Sequence, residues 1–512
     1  MLRVPERCDM SAVSRLASLS VAAAIGLATP IVAAPPAIAD PCAQTLPAPA
    51  PAGAVPPNIA VPRATGPVEH IPTGRKPAGA QDQAPLPEVG PLPPDPSAAS
   101  SPSSAPWQNQ AAVIPGPDPP GASDQPGTNP INLGPNAVAR APAPAAQVPI
   151  AAAATAVPAT SLVGWINGPV NGRANSPNDT FNRFAISGAD LGIMWDNGDP
   201  NNDQTLLAFG DTFGDCSVPG QQWRSNTLLR SADRTLADGL YVPDPSPDSA
   251  AGANYGGSPV IQNPNMPGKY NFSKQIIASL GIALTEVTII PTAGISVGNA
   301  QYINFMSIKQ WGAPGRWTTN FSALAVSNDN GQTWKADRST VRMPFGGNQN
   351  FQQGAFVRPG DGYVYSFGTP SGRGGAAYVA RVPEGSAQDP TKYQYWGKQW
   401  WNFFGTASWQ TNKPSTARAV IPAPVSEMSV QYNTYLKRFV AMYCDGSNNV
   451  VIRTAPAAQG PWSSAQTLVT SRQIPGGIYA PFMHPWTTGK DLYFNLSLWS
   501  AYSVMLMHTV LP

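Results

Sequence analysis

TEVTIIPTAGISVGNAQYINFMSIKQWGAPGRWTTNFSALAVSNDNGQTW, residues 285–334, holds three runs of β-branched and aromatic residues separated by Gly, Asn and Pro. TEVTIIPTAGISV, QYINFMSI and SALAVSNDNGQTW are each strand-length, and none keeps a 3.6-residue apolar period. Three strands in succession with short polar turns predict one antiparallel sheet.

The closing SNDNGQTW (327–334) fits S-x-D-x-G-x-T-W, the Asp box of sialidase-like and other propellers. In that hairpin turn Asp329 accepts backbone N–H bonds and Trp334 packs between strands. It supports a fold and says little about chemistry. Outward from this block the texture repeats. QYINFMSI (301–308) resembles TLLAFGD (205–211), GYVYSFGT (362–369), YLKRFVAMY (435–443) and DLYFNLSL (491–498), each with a strand-like run before and after it. Five sets of three strands at a mean spacing of roughly 70 residues predict an all-β, five-bladed β-propeller. A two-sheet sandwich is the competing architecture. The last set has three strands, and SLVGWINGP (161–169) stands before the first set without one of its own. It is expected to supply the outer strand of the last blade and close the ring, removing an exposed edge.

Ahead of the repeats the composition is different. Of the 59 prolines, 33 fall in the first 160 residues. Arg3, Arg7 and Arg15 precede an apolar run, 16–34, which Pro30 interrupts and which ends in Ala37-Ile38-Ala39. That is the pattern of a signal peptide over residues 1–39, not of a membrane anchor. The mature protein is expected to lack a transmembrane segment and to be secreted or cell wall-associated. Residues 40–160 are rich in Pro, Ala, Gly, Ser and Gln, too poor in large apolar side chains to offset ordering entropy, so a disordered linker is expected. The propeller occupies 161–512. Cys42, Cys216 and Cys444 remain after cleavage; a Cys216–Cys444 bridge and three free thiols are both open, since spacing does not decide.

A net charge of +2 with no basic cluster speaks against nucleic acid. Three histidines exclude a His-rich zinc site. No Walker A, Rossmann or G-x-S-x-G pattern occurs, and no cofactor or metal is expected. A monomer is expected.

The chemistry concentrates in ADLGIMWDNGDPNNDQTLLAFGDTFGD (189–215), which carries six aspartates. Asp196, Asp199 and Asp203 belong to the polar turn WDNGDPNND, a hairpin turn or a calcium chelator. Asp190 and Asp211 sit among small apolar residues. Two strands that run out and back return their ends to one side, so Asp190 and Asp211 are expected at one mouth of the channel and the turn aspartates at the other. A carboxylic acid and a carboxylate flanking a pocket are what glycosidic cleavage needs; the structural alternative has Asp211 capping a turn and Asp190 holding a bend. In SEMSVQYN, alternation puts Glu427, Ser429 and Gln431 on one face of a channel-lining strand, for substrate contact or pKa tuning. Gln352 or Gln353 in NFQQGAF, with Gln353 preferred, and His484 in YAPFMHPW are further candidates for holding sugar hydroxyls. The 14 tryptophans suit sugar stacking, though most are expected in the blade core.

The segments ADLGIMWDN…LLAFGDTFGD, TIIPTAGISVGNAQYINFMSI, RWTTNFSALAVSNDNGQTW, SEMSVQYNTYLKRFVAMY and IYAPFMHPW together resemble an actinobacterial family long labelled only as a domain of unknown function. Some members are endo-D-arabinofuranases acting on mycobacterial arabinogalactan and lipoarabinomannan. The resemblance covers residues from about Gly164 to Pro512 and touches all five sets. It implies a five-bladed propeller, Asp190 and Asp211 of the D-L-G and G-D-T motifs as the catalytic pair, and cell-wall arabinan as partner. The rivals are a non-catalytic glycan-binding propeller and an exo-sialidase-like enzyme. The latter needs several inner-strand arginines, for which Arg358 alone is a candidate.

Overall fold

The computed structural model describes residues 90–91, 159–168, 177–245, 256–399 and 405–512. The leader and nearly all of the linker lie outside the described residues. Five antiparallel sheets follow one another along the chain, each beginning with a strand that lines a common hollow. The protein is a five-bladed β-propeller.

The five inner strands are Ile193–Asp196, Thr288–Val297, Gln353–Val357, Met428–Asn433 and Ile478–Met483. Blade 1 continues with Thr205–Phe209 and Thr227–Ser231. Blade 2 adds Ala300–Trp311, Trp317–Ser327 and a fourth strand, Lys335–Arg342. Blade 3 is the widest, because Gln394–Gly397 and Ser408–Thr411 extend it and Ile421–Val425 pairs with Gly375–Pro383. Blade 4 ends on Gln466–Val469.

The ring closes as the strand arithmetic required. Thr160–Trp165 pairs antiparallel with Ser503–Val510, the third strand of blade 5. Gly90–Pro91, inside the stretch read as linker, then adds a short strand outside it. That outermost pairing was not legible, since a Gly-Pro pair carries no strand signal.

Each sheet is sandwiched between two neighbours, so its middle strand is buried on both faces. Leu206, Leu207, Ala208 and Phe209 are all fully covered, which explains why these runs read as continuous apolar stretches. The Asp box forms the expected turn: Asp329 Oδ1 accepts from Thr333 N–H at 2.9 Å, and Ser327 Oγ accepts from Gly331 N–H at 2.9 Å. Trp334 meets Trp195 of blade 1 edge to face at 6.2 Å, a contact worth about 0.5–1.5 kcal/mol beyond its buried area. The box therefore pins two blades together.

Cysteine pairing overturns both alternatives, the Cys216–Cys444 bridge and the three free thiols. Cys216 is disulfide-bonded, whereas Cys444 is a buried free thiol, so the two are not joined. The partner of Cys216 lies outside the described residues.

Candidate active site

Asp190 sits where the chain turns into the inner strand of blade 1. Its carbonyl accepts N–H bonds from Gly192 at 3.0 Å and Gly210 at 3.1 Å, drawing the D-L-G and G-D-T motifs together. The turn needs left-handed backbone at Leu191 (φ 69°) and Gly192 (φ 64°). A β-carbon at 192 would lie 2.9 Å from Asn495 Nδ2, which instead donates to the Gly192 carbonyl at 2.7 Å. Leu191 N–H is held by Ser497 Oγ at 2.9 Å. A non-glycine residue in the left-handed region, latched from blade 5, is strain the surroundings impose.

The Asp190 carboxyl is wholly buried. Oδ2 accepts from Tyr479 Oη at 2.9 Å, while Oδ1 has no hydrogen-bond partner among the described residues. Burial pushes its pKa well above the usual carboxylate range, and the charges of Asp211 and Glu427 push it further. The Tyr479 hydrogen bond and the Arg373 charge oppose the rise without cancelling it. Asp190 therefore resists ionisation more strongly than an ordinary carboxyl.

Asp211 follows the second strand of blade 1, and Thr288 Oγ1, at the head of the inner strand of blade 2, donates to its Oδ1 at 2.5 Å. Glu427 immediately precedes the inner strand of blade 4. It is gripped by Arg373, whose Nε and Nη2 lie 3.0 and 2.8 Å from its two carboxylate oxygens. The guanidinium of Arg373 also lies over the Tyr479 ring at 4.8 Å. Blades 1, 3, 4 and 5 thus each contribute to one charged cluster.

Next to this cluster, on the axis, is a narrow hollow with room for about one water molecule. Leu191, Ile290, Gln353, Glu427 and Ala480, one residue from each blade, are among its lining. Most of that lining is apolar, with Thr292, Gln353 and Glu427 as its polar points. Gln353 Nε2 donates to the carbonyls of Pro370 and Gly372 at 2.9 and 2.7 Å, which fixes the amide and leaves Oε1 without a partner among the described residues.

The strand-return geometry holds. Asp190 and Asp211 lie at the same end of blade 1, both buried and neither lining the hollow, and Asp196 ends the inner strand at the opposite end, where its Oδ2 accepts from Trp486 Nε1 at 2.7 Å. Asp203 there pairs with Arg234. The structure does not bring His484 or Gln431 to the carboxylates. His484 follows the far end of its inner strand, 3.4 Å from Thr205 Oγ1, and is buried. Gln431 Nε2 donates to the Thr487 carbonyl at 3.1 Å, near that same far end. Gln352 is spent between blades 2 and 3, accepting from Thr319 Oγ1 and donating to the carbonyls of Arg342 and Asn348. Arg358 is also elsewhere, 3.9 Å from Glu384.

Three residues of the cluster escaped the sequence reading. Arg373 lies in the glycine-rich SGRGG turn between strands, where an arginine usually means exposure. Tyr479 and Thr288 look like ordinary strand residues. Arg373 alone had a findable signal, because its turn follows the second strand of blade 3 as Asp211 follows that of blade 1.

Residues 175–508 match the family described as a domain of unknown function (DUF4185). The chain belongs to this family. It is similar to notoamide biosynthesis cluster protein J of Aspergillus sp. (strain MF297-2), at 29% identity over 336 residues, 63% of this chain and 82% of that protein. Among solved structures it is similar to an exo-β-1,3-galactanase from Phanerochaete chrysosporium (TM-score 0.39, 9% identity, 68% of this chain and 64% of that one). It is also similar to the xylan β-1,4-xylosidase of Bacillus halodurans C-125 (TM-score 0.36, 9% identity, 64% and 53%). Those two likenesses are too distant to place individual residues. Family membership carries no activity with it, so any chemistry has to be argued from the cluster.

Proposed function

We propose that this protein is a secreted, cell wall-associated glycoside hydrolase that cleaves D-arabinan of arabinogalactan and lipoarabinomannan by a two-carboxylate mechanism. The observation that carries the reading is Asp190: a carboxyl whose pKa burial raises well above the ordinary range, beside a second carboxyl and next to Leu191, which lines the axial hollow. Asp190 acts as the general acid toward the leaving oxygen. Asp211, held by Thr288, is the second carboxyl and serves the water or the anomeric carbon on the other side of the bond. Glu427 and Gln353 face the hollow and meet sugar hydroxyls. The arabinan assignment rests on the resemblance of the D-L-G and G-D-T motifs to the endo-D-arabinofuranases.

Asp190 has no exposed surface in the ligand-free chain. The Leu191 and Ile290 side chains, which line the hollow, converge with Asp190 Oδ1 on the bare Cα of Gly210. A bound sugar reaches the acid by displacing these two apolar side chains, a rotamer change of the kind common on binding. The same cover is the observation that favours a second reading, a glycan-binding propeller without turnover.

Incubating the full chain with mycobacterial arabinogalactan separates the two. The hydrolase releases oligosaccharides with new reducing ends, and Asp190→Asn and Asp211→Asn each abolish that release while remaining folded. Full activity in either variant removes that residue from the mechanism. Affinity for arabinan with no new reducing ends after long incubation leaves the binding propeller.

A further inference from the structure

A neutral carboxylic acid carries its proton on one of two oxygens, and the two oxygens of Asp190 differ. Oδ2 accepts from the hydroxyl of Tyr479, and Oδ1 accepts from nothing among the described residues. Tyr479 is itself over-determined. The sheet of blade 5 slips register between Tyr479 and Phe482, and Ala480 lies at φ 50°, a left-handed value that only close packing sustains in a residue with a β-carbon. The bulge turns Tyr479 off the strand repeat. Its ring is covered by the Arg373 guanidinium at 4.8 Å and meets Trp499 edge to face at 6.0 Å. The hydroxyl is fully buried, with Asp190 as its acceptor.

We propose that Tyr479 is a positioning residue: by donating to Oδ2 of Asp190 it assigns the acid proton to Oδ1, the one oxygen left free to deliver it. This rests on the reading of Asp190 as general acid. In the step it prepares, the Oδ1–H bond breaks and the proton bonds to the glycosidic oxygen. The bond from that oxygen to the anomeric carbon breaks with its electron pair going to the leaving oxygen, and Asp190 is left as the carboxylate. Tyr479 then donates to a charged acceptor, a stronger hydrogen bond than the one it made before. It thus orients the acid in the ground state and stabilises the anion produced. Arg373 holds the ring in place and balances Glu427. The other groups that sense this proton are Asp211 and Tyr502.

The test follows the Asp190 carboxyl directly, by 13C NMR titration of the full chain, with its signal assigned by disappearance in Asp190→Asn. In Tyr479→Phe the ionised form loses a charge-assisted donor, so the titration and the alkaline limb of kcat both move up by about one pH unit or more. The misoriented acid lowers kcat by up to about 100-fold with KM unchanged. Replacing Tyr479 with 3-fluorotyrosine keeps the shape and strengthens the donor, so the titration moves down; this arm stands even if the phenylalanine variant fails to fold. A titration that stays put in both variants, or moves the same way in both, overturns the proposal. The hydrolase reading fails separately, if Asp190→Asn still cleaves arabinan.

Discussion

Gly210→Ala is the sharpest probe of the cluster, because it adds one methyl group at its centre. Gly210 is not in the left-handed backbone region, so alanine brings no conformational strain of its own. Its β-carbon would lie 2.5 Å from Asp190 Oδ1, 3.3 Å from Leu191 Cδ1 and 3.5 Å from Ile290 Cδ1. Real β-carbons do not approach oxygen that closely, so the carboxyl has to move. Moving it lengthens the Tyr479 hydrogen bond, which has no slack at 2.9 Å. Overpacking of this kind costs about 1–3 kcal/mol. With an unfolding entropy of roughly 2.1 cal/mol/K per residue over about 350 folded residues, that is a fall in Tm of only about 1.5–4 °C. Activity should suffer far more, because a displaced general acid forfeits a factor of about 10²–10⁴. The assay compares release from arabinan with hydrolysis of a p-nitrophenyl arabinofuranoside, whose leaving group needs little protonation. The arabinan rate should collapse and the aryl rate should hold within about tenfold. Equal loss on both substrates, or full arabinan activity with a lowered Tm, refutes the placement of Asp190 Oδ1 at the reacting bond.

Other perturbations follow from the same cluster and from the far mouth. The folded chain resists ionising Asp190 while the unfolded chain ionises it near the ordinary carboxylate pKa, so stability is lost as pH climbs above about 4. Asp190→Asn should therefore raise Tm at pH 7 while abolishing cleavage; an unchanged or lower Tm at pH 7 in a folded variant counts against a neutral buried acid. Arg373→Met strands the Glu427 carboxylate and should cost about 3–5 kcal/mol in urea unfolding, most of it recovered in the Arg373→Met/Glu427→Leu double variant. Full additivity of the two single variants would show that the pair is not coupled. His484 is pushed down to about 3 by burial, with the nearby Arg234 charge adding to it, so it stays neutral in the fold. Unfolded, it protonates near 6.5, so stability is intact above that pH and declines below it by up to about 1.4 kcal/mol per unit toward pH 3. His484→Gln should flatten that acid slope without changing the neutral-pH cleavage rate, since the residue sits at the far mouth. An unaltered slope shows that the imidazole is not the group being protonated.

Strands and their order are local information. A strand announces itself within a handful of residues, and the turn residues between runs set its limits, so five sets and a closing strand were countable from the chain alone. The placing of Asp190 and Asp211 together was also local, because a hairpin of known register returns its ends to one side. The same logic, applied to blade 5, puts His484 at the same end as Asp196, since Asp196 ends its inner strand and His484 directly follows the end of its own.

Tertiary structure alone decided the electrostatics of the site. Arg373, Glu427, Tyr479 and Asp190 are drawn from four blades, and nothing in a neighbourhood of ten residues specifies that an arginine in one turn will lie on a tyrosine a hundred residues later. A pKa is set by what surrounds a group in space: the burial of Asp190, the charges of Asp211 and Glu427, and the single hydroxyl on Oδ2. The chain's own order, with its short-range periods, specified the ring. The closing of that ring created the low-dielectric centre in which one aspartate, chemically like its neighbours in sequence, resists ionisation.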